Sequence, residues 1–203
     1  MNKESVISGW LPGMPIMPAQ EQELIRECQA GRVDAFGGLY DAYIEKIYRY
    51  LFYRLRDQSQ AEDLTSIVFI KALEKINTFN PQKGNFSAWI YRVARNTLFD
   101  HLRGTPPTRS LTDAEEIPAA HSIEKEADFN YQKELILKEL DQLSETERDI
   151  ILLRVWDELP YKEIAAIVGK TEANCQMIFS RTVHKLQRVL GPGAFIVLLF
   201  SKY

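Results

Sequence analysis

At 203 residues the chain is long enough for one large domain or two small ones, and 45% hydrophobic against 26% charged residues, with only 10 Gly and 9 Pro, suits a globular protein that builds real cores. A formal charge of −3 excludes a protein that grips nucleic acid by bulk electrostatics, so any such contact must be local. The two cysteines, Cys28 and Cys175, lie far apart in helix-like segments, which excludes a disulfide framework or a CxxC metal pair and makes both expected buried hydrophobes.

Residues 1–20 are expected to be an irregular extension, broken by Pro12, Pro15 and Pro18 and lacking the continuous apolar run of a signal peptide. A helical pattern begins near Glu21 and continues past Gly31. Phe36, Leu39, Tyr40, Tyr43, Ile47, Tyr50, Leu51 and Arg54 then recur at steps of three and four, predicting a long aromatic-rich helix. In the next segment Leu64, Val68, Ala72 and Ile76 form one stripe, while Ile67, Phe69, Ile70 and Leu73 spread apolar surface beyond it. A helix apolar most of the way round is buried or docked on a partner.

Asn80 to Asn85 form a dense turn signal, and Ser87 is the expected N-cap of a helix starting at or just before Trp89. Its core stripe is Ile90, Val93, Ala94, Thr97, Leu98 and Leu102, and Trp89, Arg92, Asn96, Phe99 and Arg103 share another face. Residues 104–130, with Pro106, Pro107, Pro118 and an acidic excess, predict a flexible linker. Beyond it, Tyr131 to Leu143 is helical, Ser144 to Glu147 is a capping box, and Ile150 to Trp156 is a strongly apolar helix. Pro160 suits a helix start. Strand-like alternation of useful length is missing, so the predicted class is all-α, as two small helical domains.

A helix-turn-helix needs a small residue where its helices cross, a Gly at the turn and apolar residues pinning the second helix. Ala165, Gly169, and Cys175 with Ile178 meet those needs, and Ile164 and Val168 supply the first helix's core. With Thr171 as N-cap, the second helix buries Cys175, Ile178, Phe179, Thr182 and Leu186. Glu172, Asn174, Gln176, Met177, Ser180, Arg181, His184, Lys185 and Arg188 point outward. Asn and Gln read adenine edges and Arg and Lys read guanine or clamp phosphate; a helical hairpin with a solvated polar side is the bland alternative. In the earlier segment Trp89, Tyr91 and Phe99 interleave with Lys83, Arg92, Arg95 and Arg103. That mixture suits unpaired nucleic acid, whose bases stack on rings; core aromatics with surface arginines are the equal alternative.

Ala35-Phe36 to Arg54, AEDLTSIVFIKAL at Ala61 to Leu73, FSAWIYRVARNTLFDHLR at Phe86 to Arg103 and the stretch Leu143 to Leu186, in this order, resemble the bacterial RNA polymerase sigma factors of the sigma-70 class, in the small extracytoplasmic-function (ECF, group IV) subfamily. The resemblance implies that residues 21–103 form a region 2-like domain that docks on the clamp helices of the largest subunit of core polymerase and captures the minus-ten element as it melts. Glu62, Asp63, Thr65, Ser66, Ile67 and Phe69 would face polymerase, and Lys83, Asn85, Trp89, Arg92, Arg95, Asn96 and Arg103 would meet the melted strand. Residues 131–190 would form a region 4-like domain reading the minus-thirty-five element with Lys170, Thr171, Glu172, Asn174, Gln176, Met177, Ser180, Arg181 and Lys185. An anti-sigma factor is a further partner of such proteins.

Two departures stand out. Members commonly read DLTQETF where this chain has Asp63-Leu64-Thr65-Ser66-Ile67-Val68-Phe69, which replaces a Gln-Glu pair by Ser66-Ile67 on the polymerase-facing side. A Gly-x-Val-Arg or Gly-x-Val-Lys turn is common where this chain has Ala173-Asn174-Cys175-Gln176, so one cation is lost and relatives' promoter sequences do not transfer. Gly191 and Pro192 are expected to end the recognition helix. The apolar tail, residues 191–203, is expected to pack on the protein's own helices or on an inhibitory partner. Its run Phe195 to Phe200 is far shorter than the roughly 20 residues that span a bilayer, so a cytoplasmic protein is expected.

The main expectation is a promoter-specificity subunit; a free-standing helix-turn-helix regulator with an N-terminal sensing or dimerisation domain is the alternative, and a helical interaction protein the third. No enzyme, cofactor, metal or small-molecule substrate is expected. His101, His121 and His184 lack metal-ligand spacing, no Gly-rich phosphate loop occurs, and the adjacent Glu62 and Asp63 diverge by about 100° on a helix.

Overall fold

The computed structural model describes residues 16–104 and 134–200, with side chains as far as Leu190. Among the described residues every regular element is a helix. The chain divides into two compact units between Thr112 and Asp113. That division falls within the expected linker 104–130, which beyond Gly104 lies, like residues 1–15, 131–133 and 201–203, outside the described residues.

The first unit contains α1 (Pro18–Gln29), a short 3-10 turn (Val33–Ala35), α2 (Phe36–Leu55), α3 (Gln58–Lys75) and α4 (Phe86–Gly104). The pattern expected to run past Gly31 stops at Gln29, because Gly31 takes a left-handed φ of 90° that turns the chain into α2. In α2 the expected aromatic stripe is buried, with Leu39, Ile47, Tyr50 and Leu51 almost fully enclosed. Arg56 ends that helix in a left-handed conformation, its N–H donating to the Phe52 carbonyl at 2.8 Å. Asp57 immediately caps α3: its carboxylate accepts from the Gln60 backbone N–H and the Gln60 side chain, both at 2.9 Å. These two bonds hold the Asp57 carboxyl below its ordinary pKa.

Helix α1 is tied across the unit by Gln29, whose side-chain amide donates to the carbonyls of Ile76 and Phe79 at 2.9 and 2.8 Å. Helix α4 begins at Phe86, ahead of the expected start; the Trp89 N–H donates to the Asn85 carbonyl at 3.2 Å. Asn85 therefore precedes the helix, and Ser87 lies inside it. The buried stripe of α4 is also rotated from expectation. Tyr91 is enclosed and meets Tyr50 edge-on at 5.7 Å, whereas Val93 is half-buried and Leu102 exposed. A tyrosine ring removes more apolar surface from water than a valine, and that difference decides which side turns inward.

In the second unit residues 134–141 form α5, followed by α6 (Glu145–Ile151), a π-helical turn (Leu152–Trp156), α7 (Tyr161–Val168) and α8 (Glu172–Phe200). Ile136, Leu140, Ile150, Ile151, Leu153, Trp156 and Ile164 make its core. The π turn widens the end of α6 and keeps Leu152, Leu153 and Trp156 all buried. Pro160 takes the N-cap position, its carbonyl accepting from Glu163 and Ile164. Arg154 reinforces this corner, donating to the Leu159 carbonyl at 3.0 Å and lying 4.9 Å from the Tyr161 ring.

The expected end of α8 at Gly191 is overturned: the helix continues through Gly191, Pro192 and Gly193 to Phe200. A proline removes one amide donor and crowds the carbonyl four residues back, here that of Arg188. That local penalty of about 3 kcal/mol competes with a hydrogen-bond ladder continuing on both sides.

The expected capping box is present. Glu147 accepts from the Ser144 N–H at 2.9 Å and the Ser144 hydroxyl at 2.6 Å, and the Glu147 N–H donates to that hydroxyl oxygen at 3.4 Å. The Ser144 hydroxyl chiefly holds the Glu147 carboxyl below the ordinary glutamate value of 4.5. A lowered native pKa contributes stability that is complete above pH 4.5 and lost as pH falls through the lowered value. Ser144→Ala should cost about 1 kcal/mol at pH 7 in urea unfolding. Its deficit relative to the unsubstituted chain should shrink at pH 3.

Candidate nucleic-acid and polymerase interfaces

On α3, the residues expected to face polymerase separate into two groups. Glu62, Asp63, Ser66 and Ile67 are exposed, and share their surface with Ile70, which is 58% exposed. Thr65 and Phe69 are buried, which corrects their expected role as contacts. The Thr65 hydroxyl donates to the Ala61 carbonyl at 2.6 Å, and the Phe69 ring lies edge-on to Tyr40 and Phe36 at 4.8 and 6.4 Å. Both sit one step from the exposed stripe, where an α-helix turns its side chains towards the core. Ile70 was visible in the sequence only as part of a helix apolar nearly all round; burial alone separates it from Phe69.

The turn before α4 exposes Lys83 and Asn85, and the helix itself exposes Arg92, Asn96 and Arg103. Trp89 is half-buried, with its ring centroid 5.6 Å from Phe79 and 5.3 Å from Phe86. It therefore has a rigid aromatic seat and a remaining accessible part, the construction a stacking platform requires. Arg95 is half-buried, its guanidinium 4.4 Å from the Phe99 ring, while Arg54 lies 5.8 Å from the same ring. Phe99 is thus engaged by two cations of its own domain, and Tyr91 belongs to the core. Of the three interleaved aromatics, Tyr91 is enclosed and Trp89 and Phe99 are both half-buried, but Trp89 is seated by rings whereas Phe99 already carries two guanidiniums.

In the second unit Gly169 ends α7 with a φ of 70°, and its N–H and that of Lys170 donate to the Ala165 carbonyl at 3.0 and 3.1 Å. Thr171 caps α8 as expected, its hydroxyl accepting from the Asn174 N–H at 3.3 Å. Cys175, Thr182 and Leu186 are buried and Ile178 and Phe179 half-buried, with Phe179 edge-on to Tyr161 at 5.8 Å. Lys170, Thr171, Glu172, Gln176, Met177, Ser180, Arg181 and Lys185 are exposed, and Asn174 is half-buried. This is a helix-turn-helix presenting an open polar face. Burial pushes both the Cys28 and Cys175 thiols upward, away from the reactive thiolate. Among the described residues no three His, Cys, Asp or Glu side chains gather for a metal, and no helix is long and apolar enough to cross a membrane.

Residues 39–105 match the family model "Sigma-70 region 2" and residues 133–186 match "Sigma-70, region 4". The ECF RNA polymerase sigma factor BldN of Streptomyces coelicolor is 34% identical over 180 residues, covering 87% of this chain and 68% of the relative. The chain belongs to the extracytoplasmic-function sigma factors. SigW of Bacillus subtilis is 30% identical over 156 residues, covering 71% of this sigma factor and 83% of the relative. The fold is shared with CnrH, solved in complex with the cytosolic domain of CnrY (TM-score 0.66, 19% identity, covering 84% of this chain and 97% of that one). It is shared too with RpoE of Bartonella quintana, solved with the anti-sigma factor NepR (TM-score 0.63, 21% identity, covering 77% and 97%). As a sigma factor the protein is a promoter-specificity subunit of RNA polymerase.

The burial of Phe69 separates stability from docking. Phe69→Ala should cost about 3 to 5 kcal/mol in denaturant unfolding of the first unit. Ile67→Ser, on the exposed face, should leave unfolding within about 0.5 kcal/mol of the unsubstituted chain.

Proposed function

We propose that the two units of this sigma factor divide the work, residues 21–103 docking on core polymerase and taking the minus-ten strand, and residues 131–190 reading the minus-thirty-five duplex. The observation that carries this reading is the contrast between the two DNA-suited faces. Trp89 offers a ring held by Phe79 and Phe86 among exposed Arg92, Asn96 and Arg103. By contrast α8 offers hydrogen-bonding and cationic side chains, Asn174, Gln176, Ser180, Arg181 and Lys185, while its half-buried ring, Phe179, lies edge-on to Tyr161 and away from that stripe in the helical register. Rings suit bases that have left the stack; amides and guanidiniums suit base edges in a major groove.

Docking on polymerase is assigned to Glu62, Asp63, Ser66 and Ile67. There the isoleucine would contribute apolar burial where relatives commonly present a Gln-Glu pair. Thr171 would act on DNA through the turn it caps, and Lys170 and Glu172 would border the groove. The protein acts by binding energy, without a catalytic step of its own, in the cytoplasm where polymerase works. Family membership supports an anti-sigma factor as a second partner, competing with core polymerase for the first unit.

Two substitutions test the division in transcription reconstituted with core polymerase. Trp89→Ala should impair strand opening, read by permanganate reactivity of unpaired thymines, more than it impairs closed-complex binding; equal losses would count against stacking. Arg181→Ala should cost about 1 to 3 kcal/mol of discrimination between native and altered minus-thirty-five sequences if it reads a base. Tight half-site binding to duplex by the sigma factor alone would favour a free-standing regulator instead.

A further inference from the structure

Helix α8 continues without interruption beyond residue 186, where the region 4 match stops. Asn174, Met177, Arg181, His184, Lys185 and Arg188 lie on one side of it at steps of three, four, three, one and three. Buried Cys175, Thr182 and Leu186 lie on the other. From Asn174 to Arg188 the stripe rises about 21 Å at 1.5 Å per residue, whereas a major groove is about 12 Å wide. A helix that enters by its N-terminal turns therefore has its later cations at the level of the groove wall, which is phosphate.

We propose that Arg188 and His184, beside Arg181, contact the sugar-phosphate backbone of the promoter duplex and extend the DNA surface past the region 4 match. The proposal rests on the reading of α8 as the recognition helix. Among the described residues Arg181, His184, Gln187 and Arg188 share one concavity, which gathers two guanidiniums and an imidazole at the far end of the stripe. The Arg188 Nε donates to the His184 carbonyl at 3.3 Å, which restrains the guanidinium of this exposed residue, and its terminal N–H groups are the part that a phosphate would engage. Among the described residues neither Arg181 nor Arg188 is ion-paired with a carboxylate, unlike Arg26, Arg32 and Arg148. The continuation of α8 to Phe200 matters too, because it keeps Arg188 in helical register instead of at a fraying end.

The test is equilibrium binding of reconstituted holoenzyme to a promoter fragment between 50 and 200 mM salt. Arg188→Ala should make the logarithmic salt dependence shallower by about one, so the unsubstituted protein loses about 3 to 4 times more affinity than the variant across that range. The fold-loss should be equal on promoters with altered minus-thirty-five bases, and Arg188→Lys should keep the original slope. An unchanged slope and affinity in Arg188→Ala would overturn the clamp. So would weaker assembly with core polymerase at an unchanged slope, which would assign the stripe to an acidic protein surface. If unsubstituted holoenzyme ignored the promoter, the recognition-helix reading itself would fall, and the clamp with it.

Discussion

The packing of Tyr91 against Tyr50 determines which side of α4 is left open to solvent. Two large rings meeting edge-on at 5.7 Å in a closed core cannot rotate away without exposing both, and their burial fixes the helix about its own axis. Once that rotation is fixed, Ile90, Ala94 and Leu98 follow Tyr91 inward, and Arg92, Asn96 and Arg103 are carried to the opposite surface. Trp89 falls at the boundary, where Phe79 and Phe86 seat it. The candidate minus-ten surface is thus a by-product of core formation: no polar residue has to specify its own direction.

The second unit reaches the same result with smaller residues. Cys175, Thr182 and Leu186 pin α8 against α6 and α7, and the left-handed Gly169 sets the angle at which it leaves the turn. The capping box at Ser144 and the wide turn at Leu152 to Trp156 hold the scaffold beneath. A thiol at the helix crossing is compact enough for close approach, and its burial keeps it chemically quiet. The open side of α8 carries charge while the whole chain is slightly acidic, so attraction to DNA is confined to particular faces.

Much of this was legible in the residues. The three- and four-step stripe in α2, the capping box and the glycine of the helix-turn-helix each combine two independent signals, a residue type and a spacing. Thr65, Phe69 and Tyr91 were not, because their helices carry apolar residues on more than one side and periodicity alone cannot rank them. Packing against partners distant in sequence, Tyr40 for Phe69 and Tyr50 for Tyr91, decides those positions. The end of α8 failed for a different reason. Gly-Pro-Gly is a local helix-breaking signal, and a local rule cannot weigh the ladder on either side of it.

That unbroken α8 has a mechanical consequence. Its 29 residues make a helix of about 43 Å, weakest in its hydrogen-bond ladder at Gly191-Pro192-Gly193. Whatever engages residues 191–200 therefore holds the same helix that presents Gln176 and Arg181.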